Sequence, residues 1–405
     1  MIASGLEVDS GQAGKLAGEE ALNTFLSPAQ EALKERYCSF ALENLQPIAS
    51  ALESHEYPLK EFMQTLGQSG HLGLTVPEEY GGQAAPFINL VLLVEALAEL
   101  EPGLGLSLAA HCAAIELIKR QASSNLKARY LPLLARGETI AAVAFGEETA
   151  GTDVQAIQST LTRLNGEMSL SGKKTWVVNG QLAGLLLVLA HQDDSSGQAQ
   201  ASDKLGLAVV DMSASQSLAV SANLPRLGMR SAYVNHVEFK ALPVSEENLL
   251  VRSSDGLEPV LYAMDVAKVV VAAAAIGLVK GALSQAADHA RRREQFGRQI
   301  GQFQAIQWKL ADMDTEHAAA QLMTYRAAWS KDEDPGQFRR NAAMCKWFAT
   351  RAARFHSGEA VQILGASGVS SESPLERFYR DAKVMEICQG TSELQKLMLV
   401  EELGI

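Results

Sequence analysis

Hydrophobic positions recur at helical spacing in the first part of the chain. Ser27-Pro28 opens this pattern, because Ser is a favoured N-cap and Pro a favoured first helical residue. The periodicity continues to about Leu66, and Gly67 is a plausible stop. Further helices are predicted at Phe87–Leu100, Leu104–Arg120 and Ser124–Arg136. The first domain is therefore predicted to be helical.

The middle of the chain changes to short segments rich in Val, Leu and Thr. Asn165-Gly166 lies between two of these segments and is a strong hairpin-turn signal. The polar stretch Gln192–Lys204 predicts an exposed loop. Together these features indicate a small β domain. Its strands are predicted at Thr139–Phe145, Ser159–Leu164, Glu167–Leu170, Thr175–Val178, Leu185–Ala190, Leu205–Asp211 and Val234–Phe239.

Long helical patterns return from about Leu257. They cover residues 257–293, 303–330, 335–366 and 374–401. Helix, sheet and helix in this order do not alternate as βαβ units, which argues against a Rossmann sheet. The chain also lacks G-x-G-x-x-G and Walker A motifs. The predicted fold class is α+β in three parts: an N-terminal helical domain (27–138), a small middle β-barrel-like domain (139–250) and a C-terminal four-helix bundle (251–405). A flexible arm (1–26) is predicted to precede them.

Composition narrows the function classes. The net charge of -12 argues against general nucleic-acid binding, which requires a basic surface. The four cysteines form no CxxC, and no Cys/His pair has zinc-ligand spacing, so no disulfide scaffold and no metal site are expected. Residues 1–23 do not resemble a signal peptide, and the apolar run Val269–Val279 is too short to span a bilayer. We therefore expect a cytoplasmic protein without a membrane span.

An ordered series of motifs carries the chemistry. The middle domain contains F-G-E-E-T-A-G-T-D (145–153), G-K-K-T-W-V-V-N-G (172–180) and L-G-M-R-S (227–231). The C-terminal domain contains R-E-Q-F-G (293–297), F-Q-A-I-Q (303–307), Q-I-L-G (362–365) and Q-G-T-S-E-L-Q (389–395). Each motif is weak alone. In this order, from about residue 28 to 403, they resemble the acyl-CoA dehydrogenase family of FAD enzymes.

The resemblance implies a bound FAD. Trp176 would pack on the flavin as an apolar wall. Arg293 would reach the FAD of a neighbouring subunit, because an Arg fork suits a pyrophosphate, so a homotetramer or homodimer is expected. By the same resemblance Thr152, Asp265 and Lys268 are matched to the substrate. The other matched cofactor contacts are Phe145, Gly146, Thr152, Val177, Val178, Gln295, Phe296, Phe303, Gln304, Gln362, Ile363, Gly365, Ala366, Thr391 and Glu393.

Three departures from the family pattern affect the chemistry. Gln389 stands where most of the family has the glutamate that removes the substrate's α-proton, and a neutral amide cannot act as a base near pH 7. Val178 replaces the strand threonine whose hydroxyl usually bonds the flavin, and Gly146 replaces the loop threonine. The family's alternative base position holds Ala267. Glu→Gln is also a common laboratory change, which would account for Gln389 alone.

Other groups near the predicted site are candidates for a substitute base. Asp265 is two residues from Ala267, so the two side chains point to different helix faces. Glu148 stands where the family usually has proline and is a speculative catalytic residue; an exposed loop carboxylate is its simpler interpretation. His111 follows an apolar segment and is interpreted as a core histidine. The full set of candidate bases is Glu147, Glu148, Tyr262, Asp265 and Cys388.

The predicted function is an FAD-dependent oxidoreductase acting on the CH–CH group of an acyl thioester, with an altered or missing α-proton base. The thioester would be on CoA or on a carrier protein. One alternative is a flavin-dependent monooxygenase on the same fold, which needs no such base; Arg293 and Gln362 favour tightly bound FAD over borrowed FMN. The other is a catalytically silent FAD-binding protein, stabilised by its cofactor. The sequence does not identify the acyl group or the electron acceptor.

Overall fold

A computed structural model of the protein describes residues 25–164, 167–192, 205–212, 217–251 and 257–404. The predicted Asn165-Gly166 turn, residues 193–204 of the predicted loop and residues 1–24 of the predicted arm lie outside these ranges. The described elements follow the predicted order of helices, sheet and helices.

The N-terminal helices begin where the sequence predicts. The Ser27 hydroxyl accepts from the Gln30 N–H, and the Gln30 side-chain oxygen accepts from the Ser27 N–H. These two bonds form a capping box. The predicted pattern through Leu66 is broken into three helices, because Pro47 and Pro58 cannot continue a helix from the preceding turn. The helices are α1 Pro28–Asn44, α2 Ala49–Glu53, α3 Leu59–Gln68, α4 Phe87–Ala98, α5 Leu104–Gln121 and α6 Ser124–Ala135.

Within the described ranges, eight strands form one mixed sheet. Their order is β6-β7-β3-β2-β4-β5-β8, and β1 pairs in parallel with β4. Strands β4 and β5 are antiparallel from the pair Leu185–Asp211 to the pair His191–Leu205. The strands are β1 Ala141–Ala144, β2 Thr160–Leu164, β3 Glu167–Val178, β4 Leu185–Gln192, β5 Leu205–Asp211, β6 Leu218–Val220, β7 Val234–Val244 and β8 Leu249–Val251.

Strand β4 is buried on both faces. Leu185 and Leu187 join the main core shared with the helices, whereas Leu186 and Val188 join a separate core inside the β domain. This alternation follows the two-residue period of a strand. Strands β1, β2, β3, β5 and β7 contribute to the same inner core, as a barrel-like domain requires.

Two strand predictions need correction. The predicted strands Glu167–Leu170 and Thr175–Val178 are one strand, β3, which pairs with β7 through two bulges. One bulge lies between Leu170 and Gly172, and the other between Lys174 and Val177. The sequence pattern does not predict β6 and β8, because three residues are too few to establish a period.

His111 joins the helical and β domains. It is fully buried on α5, and its Nδ1 accepts a hydrogen bond from the Ala141 N–H of β1 at 3.1 Å. Burial lowers its pKa to about 4, so the ring is neutral at pH 7. This is the core histidine that the sequence predicts.

The C-terminal domain is built from long helices. The last predicted helix, residues 374–401, is two helices, because Gln389 (φ 54°) and Gly390 (φ 90°) have left-handed backbone that interrupts a right-handed helix. A two-stranded hairpin after α7 was also absent from the predicted elements. The elements are α7 Glu258–Arg292, β9 Glu294–Gln295, β10 Arg298–Gln299, α8 Gln304–Glu333, α9 Pro335–Leu364, α10 Pro374–Ile387 and α11 Ser392–Glu402.

Helix α7 is the central helix of the molecule and packs on α4, α5, α8 and α9. Among the described helices it alone is long and apolar enough to cross a bilayer, but 94% of its most apolar window is buried inside the protein. Helix α8 is only partly buried within one chain. Trp308 and Trp329 on α8 are 60% and 56% exposed.

Candidate active site

The loop after β1 lies directly against strand β3. The Thr175 N–H donates to the Gly146 carbonyl, and the Lys174 ammonium donates to the Phe145 carbonyl, each at 3.1 Å. A Cβ added at Gly146 would lie 3.7 Å from its nearest neighbour, so packing does not exclude the family's threonine there. The structure therefore places Phe145 and Gly146 beside Lys174 and Thr175, the two β3 residues that precede Trp176.

A buried ion pair fixes this loop. Glu147 Oε1 accepts from the Lys174 ammonium at 2.7 Å and from the Ser159 hydroxyl at 2.6 Å, and Oε2 accepts from the Gln158 N–H at 2.6 Å. Burial opposes ionisation of Glu147, but these hydrogen bonds, led by Lys174, lower its pKa. Both carboxylate oxygens are occupied, so Glu147 is an anchor of the loop and not a free base.

Trp176 projects from the second bulge of β3. Its φ is 54° and its side chain is 62% exposed, although Val177 beside it is buried. A bulky residue in left-handed backbone is held there by its surroundings, and such positions concentrate at binding sites. Val178 is half-buried and packs against the main core. An exposed indole held in this way suits a flat, apolar partner.

Glu148 and Thr152 are exposed on the same loop. Glu148 lies in the turn closed by reciprocal backbone hydrogen bonds between Glu147 and Ala150. It lines a surface cavity of about 360 Å³ together with Lys173, Thr175 and His236. Its surroundings fit the simpler interpretation, an exposed loop carboxylate.

Gln389 occupies the turn between α10 and α11. Its φ of 54° and the φ of 90° at Gly390 make two consecutive left-handed residues. The Gly390 carbonyl accepts from the Lys346 ammonium at 2.6 Å and from the Gln395 amide at 3.0 Å. Thr391 then caps α11, its hydroxyl accepting from the Leu394 N–H at 3.4 Å. Gln389 is half-buried in this restrained turn.

Asp265 and Lys268 are buried on α7 and paired with each other. Lys268 Nζ lies 2.7 Å from Asp265 Oδ1, and Arg339 Nε donates to Asp265 Oδ2 at 3.0 Å. Lys268 also contacts the Met398 sulfur of α11 at 3.4 Å. Both oxygens of Asp265 are therefore occupied, which disfavours it as a base, and Ala267 beside it is buried and apolar.

Tyr262 and Cys388 are also poor bases at neutral pH. Burial raises the pKa of the Tyr262 phenol and of the Cys388 thiol, so both stay protonated. The Arg120 guanidinium stacks on the Tyr262 ring at 3.7 Å. Glu148 is the remaining member of the candidate set.

The residues after α7 form an exposed hairpin. Arg293 and Gln295 are exposed, and Phe296 at the tip is 93% exposed. Phe296 (φ 53°) and Gly297 (φ 75°) have the two left-handed conformations of a type I′ turn. The Phe303 ring lies 6.1 Å from the Phe296 ring, edge to face.

The other residues matched to the cofactor lie near helix ends. Gln304 is exposed in the first turn of α8, and Glu393 is exposed in the first turn of α11. At the end of α9, Ile363 is buried, whereas Gln362, Gly365 and Ala366 are exposed. Among the residues that the structure describes, no hydrogen bond, ion pair or ring contact joins Arg293 or Gln362 to Trp176.

Sequence reasoning missed the junction of the three domains. The Met229 N–H donates to Asp381 Oδ1, and the Ser231 hydroxyl donates to Glu101 Oε1 at 3.0 Å. Arg377 lies 3.3 Å from Glu101 Oε2. A Cβ at Gly228 would lie 2.5 Å from the Arg380 backbone, so only glycine fits there. The motif at 227–231 was visible in the sequence, but its contacts with Glu101 and Asp381 were not.

The comparisons with known proteins agree with this architecture. Three family models match: "Acyl-CoA dehydrogenase, N-terminal domain" over residues 27–138, the middle domain over 142–242 and the C-terminal domain over 254–404. Mitochondrial isovaleryl-CoA dehydrogenase of Oryza sativa subsp. japonica is 33% identical over 92% of this chain and 91% of its own length. The chain belongs to the acyl-CoA dehydrogenase family.

Solved structures show the same fold. Butyryl-CoA dehydrogenase from Megasphaera elsdenii matches with a TM-score of 0.87 and 29% identity, covering 94% of this chain and 99% of the other. The prolyl acyl carrier protein oxidase AnaB matches with a TM-score of 0.87 and 28% identity, covering 94% of this chain and 100% of the other. The FAD complex of PigA matches with a TM-score of 0.86 and 26% identity, covering 94% of this chain and 98% of the other. The protein is accordingly an FAD-dependent oxidoreductase of the acyl-CoA dehydrogenase type.

The described residues fit this cofactor. Trp176 offers an exposed aromatic face on rigid backbone, and the loop at Gly146 is fixed beside it by the Glu147–Lys174 ion pair. Arg293 and Phe296 are exposed on the hairpin after α7, where a large anionic, aromatic molecule would meet a guanidinium and an aromatic ring. No cluster of three or more potential metal ligands occurs in the described part of the chain.

Proposed function

We propose that the protein acts on the CH–CH group of an acyl thioester, in a site where the usual α-proton base is absent. The observation that carries this proposal is Gln389. By the motif resemblance it takes the place of the family's glutamate. It lies in a restrained left-handed turn, within a chain that keeps the family fold over almost its whole length.

Each part of the site would have a distinct task. Hydride transfer at the substrate's β-carbon is the chemistry that FAD would supply when bound, and the residues of this chain would hold and orient it. Trp176 and the strand through Val178 would cover the flavin ring, and the Phe145–Gly146 backbone would meet its edge. Gln389 would lie beside the α-carbon, where its amide donates a hydrogen bond or fills space but takes no proton.

The missing base sets an expectation for rate. A positioned general base contributes roughly 10²–10⁴-fold to proton transfer. Glu147 and Asp265 are buried and fully engaged with lysine and arginine partners. We therefore expect slow α,β-dehydrogenation unless Glu148 moves to the substrate or the native reaction needs no α-proton abstraction.

The substrate carrier is CoA or an acyl-carrier protein. The rice and Megasphaera relatives are named for CoA esters, whereas AnaB is named for a prolyl acyl carrier protein. Both carriers present the acyl group as a thioester, so the chemistry at the α- and β-carbons is shared. We place the reaction in the cytoplasm, with an electron acceptor still to be identified.

We further propose that the working form is a homotetramer or homodimer. Arg293, Phe296 and Gln362 are exposed at the ends of α7 and α9, where they would complete the FAD site of a neighbouring copy. The exposed Trp308 on α8 gives the same domain an additional apolar surface.

An anaerobic titration would test the proposal. The purified flavoprotein is mixed with a panel of acyl-CoAs and acyl-carrier proteins, and flavin bleaching is followed. Bleaching by at least one saturated thioester supports it. Release of FMN instead of FAD, or oxygen-dependent hydroxylation without bleaching, favours the monooxygenase alternative. Retained FAD that no thioester perturbs indicates the silent binding protein.

A further inference from the structure

Lys346 is a fully buried lysine directed at the turn that carries Gln389. It lies on α9, and its ammonium donates to the Glu386 carbonyl at 2.9 Å and to the Gly390 carbonyl at 2.6 Å. These carbonyls flank Gln389 on both sides. A single charged group therefore connects the end of α10 to the start of the α10–α11 turn.

This arrangement is unusual for a buried charge. Buried lysines are normally paired with carboxylates, as Lys174 is with Glu147 and Lys268 with Asp265. The two described hydrogen bonds of Lys346 go to backbone carbonyls instead. One of them lies in the last turn of α10, where the helix dipole is negative and favours a cation. Burial disfavours the ammonium and lowers the pKa of Lys346 to about 8, which still leaves the side chain mostly protonated at pH 7.

The turn needs such a restraint. Gln389 has a φ of 54°, a conformation that non-glycine residues rarely adopt, and Gly390 follows at 90°. The neutral Gln395 amide also reaches the Gly390 carbonyl, at 3.0 Å. Lys346 is the charged member of this pair of anchors, and charge-assisted hydrogen bonds are the stronger kind.

We propose that Lys346 is a positioning residue for position 389. It fixes the left-handed turn through the Glu386 and Gly390 carbonyls, and so sets where the residue 389 side chain stands relative to the substrate. The inference rests on the proposed function, because it assumes that position 389 faces the reacting carbons. The restraint of the turn itself can be tested separately.

The first test uses the increase in the rate of flavin reduction that is expected when Gln389→Glu restores a carboxylate at position 389. Gln389→Glu, Gln389→Glu/Lys346→Met and Gln389→Glu/Lys331→Met are compared in anaerobic flavin reduction by one saturated acyl thioester. Lys331 is a matched control because its side chain is also buried, at 8% exposed. Its ammonium lies on α8, 3.5 Å from the carboxylate of Glu116 on α5. We expect Lys346→Met to reduce the Gln389→Glu gain by roughly 10²-fold, as misplacement of a reacting group can, at nearly unchanged KM. Lys331→Met should leave the gain intact.

The second test does not depend on turnover. Hydrogen exchange of residues 386–395 and visible circular dichroism of the flavin are measured on the oxidised holoprotein. Lys346→Met should speed exchange in this segment and alter the flavin signal, whereas Lys331→Met should do neither. If Lys346→Met does not fold, Lys346→Gln, which keeps a shorter neutral donor, takes its place.

The outcomes separate the two proposals. No gain from Gln389→Glu contradicts the proposed function, and the exchange and dichroism data then decide the role of Lys346. A full gain in the Lys346→Met background, or exchange and dichroism that match the Lys331→Met control, overturns the positioning role.

Discussion

At the scale of single residues, the candidate site is marked by backbone conformation. In the described part of the chain, eight non-glycine residues have positive φ, and five of them lie in the motifs that resemble the family. Single positions of this kind persist only where the surrounding structure imposes them. The amino-acid sequence predicted the motifs. The strained left-handed backbone could not be predicted, because it depends on distant partners such as Lys346. The five are Trp176, Asn179, Met229, Phe296 and Gln389.

Trp176→Ala tests the proposed flavin wall. The side chain is 62% exposed, so its loss should not destabilise the folded apoprotein. FAD binding should weaken roughly fivefold, as loss of an aromatic contact of about 1 kcal/mol implies. Affinity can be measured by flavin fluorescence on reconstitution. Trp329→Ala, which removes a tryptophan of similar exposure on α8, is the control and should bind FAD normally.

At the scale of elements, propensity predicted which segments are helix or strand but not where they break or join. Strand β3 is continuous because its bulges let it follow β7, a pairing between residues about sixty positions apart. The break between α10 and α11 depends on the left-handed pair at 389–390 and not on a proline. Tertiary contacts determine both features, so local sequence patterns do not contain them.

Lys174→Met tests the anchor between the flavin-edge loop and β3. The change leaves Glu147 buried without its cation, which should cost about 3–5 kcal/mol of unfolding free energy. Urea denaturation measures this directly. Lys173→Met, at the exposed neighbouring position, is the control and should have little effect. Adding Glu147→Gln to Lys174→Met should restore part of the loss; no recovery would show that the ion pair is not the anchor.

At the scale of the whole molecule, the two hydrophobic periods predicted the order helical, β and helical, together with the three-part fold class. They could not predict the junction, because it joins residues 101, 229 and 381 from three domains. Nor could they show that, among the described residues, no hydrogen bond, ion pair or ring contact joins Arg293 to Trp176. The site residues were predicted by resemblance, and their electrostatic partners became visible only in three dimensions.

The junction predicts a pH dependence of stability. Burial, and then the charge of Glu101, raise the pKa of Asp381 from 3.8 to about 7. A raised carboxyl pKa means that the folded state binds the proton more tightly than the unfolded chain. The stability that this tighter proton binding contributes to the folded state is present below about pH 4 and is lost as the pH rises through 7.

Asp381→Asn should remove that dependence. The amide stays neutral and keeps an oxygen that can accept from the Met229 N–H. The variant's melting temperature should therefore fall less between pH 5 and 8 than the parent's. The same decline in both proteins would contradict the assignment to Asp381.

Assembly gives a second prediction at this scale. Phe296→Ser at the hairpin tip should lower both the oligomer mass and the FAD content, because an exposed aromatic residue is expected to pack on a neighbouring copy. Light scattering and the flavin-to-protein absorbance ratio measure the two effects. Leu42→Ser, at a 53% exposed position on α1, is the control. A parent that is a flavin-replete monomer would contradict the shared site.

The central claim is that this flavoprotein keeps the family site but lacks its base, and stopped-flow flavin reduction tests it most directly. The parent, Gln389→Glu and Glu148→Gln proteins are mixed anaerobically with a saturated acyl thioester that binds the parent. The account predicts slow reduction in the parent and a gain of roughly 10²-fold or more in Gln389→Glu. Rapid reduction by the parent that Glu148→Gln leaves unchanged would contradict both the missing base and its substitute.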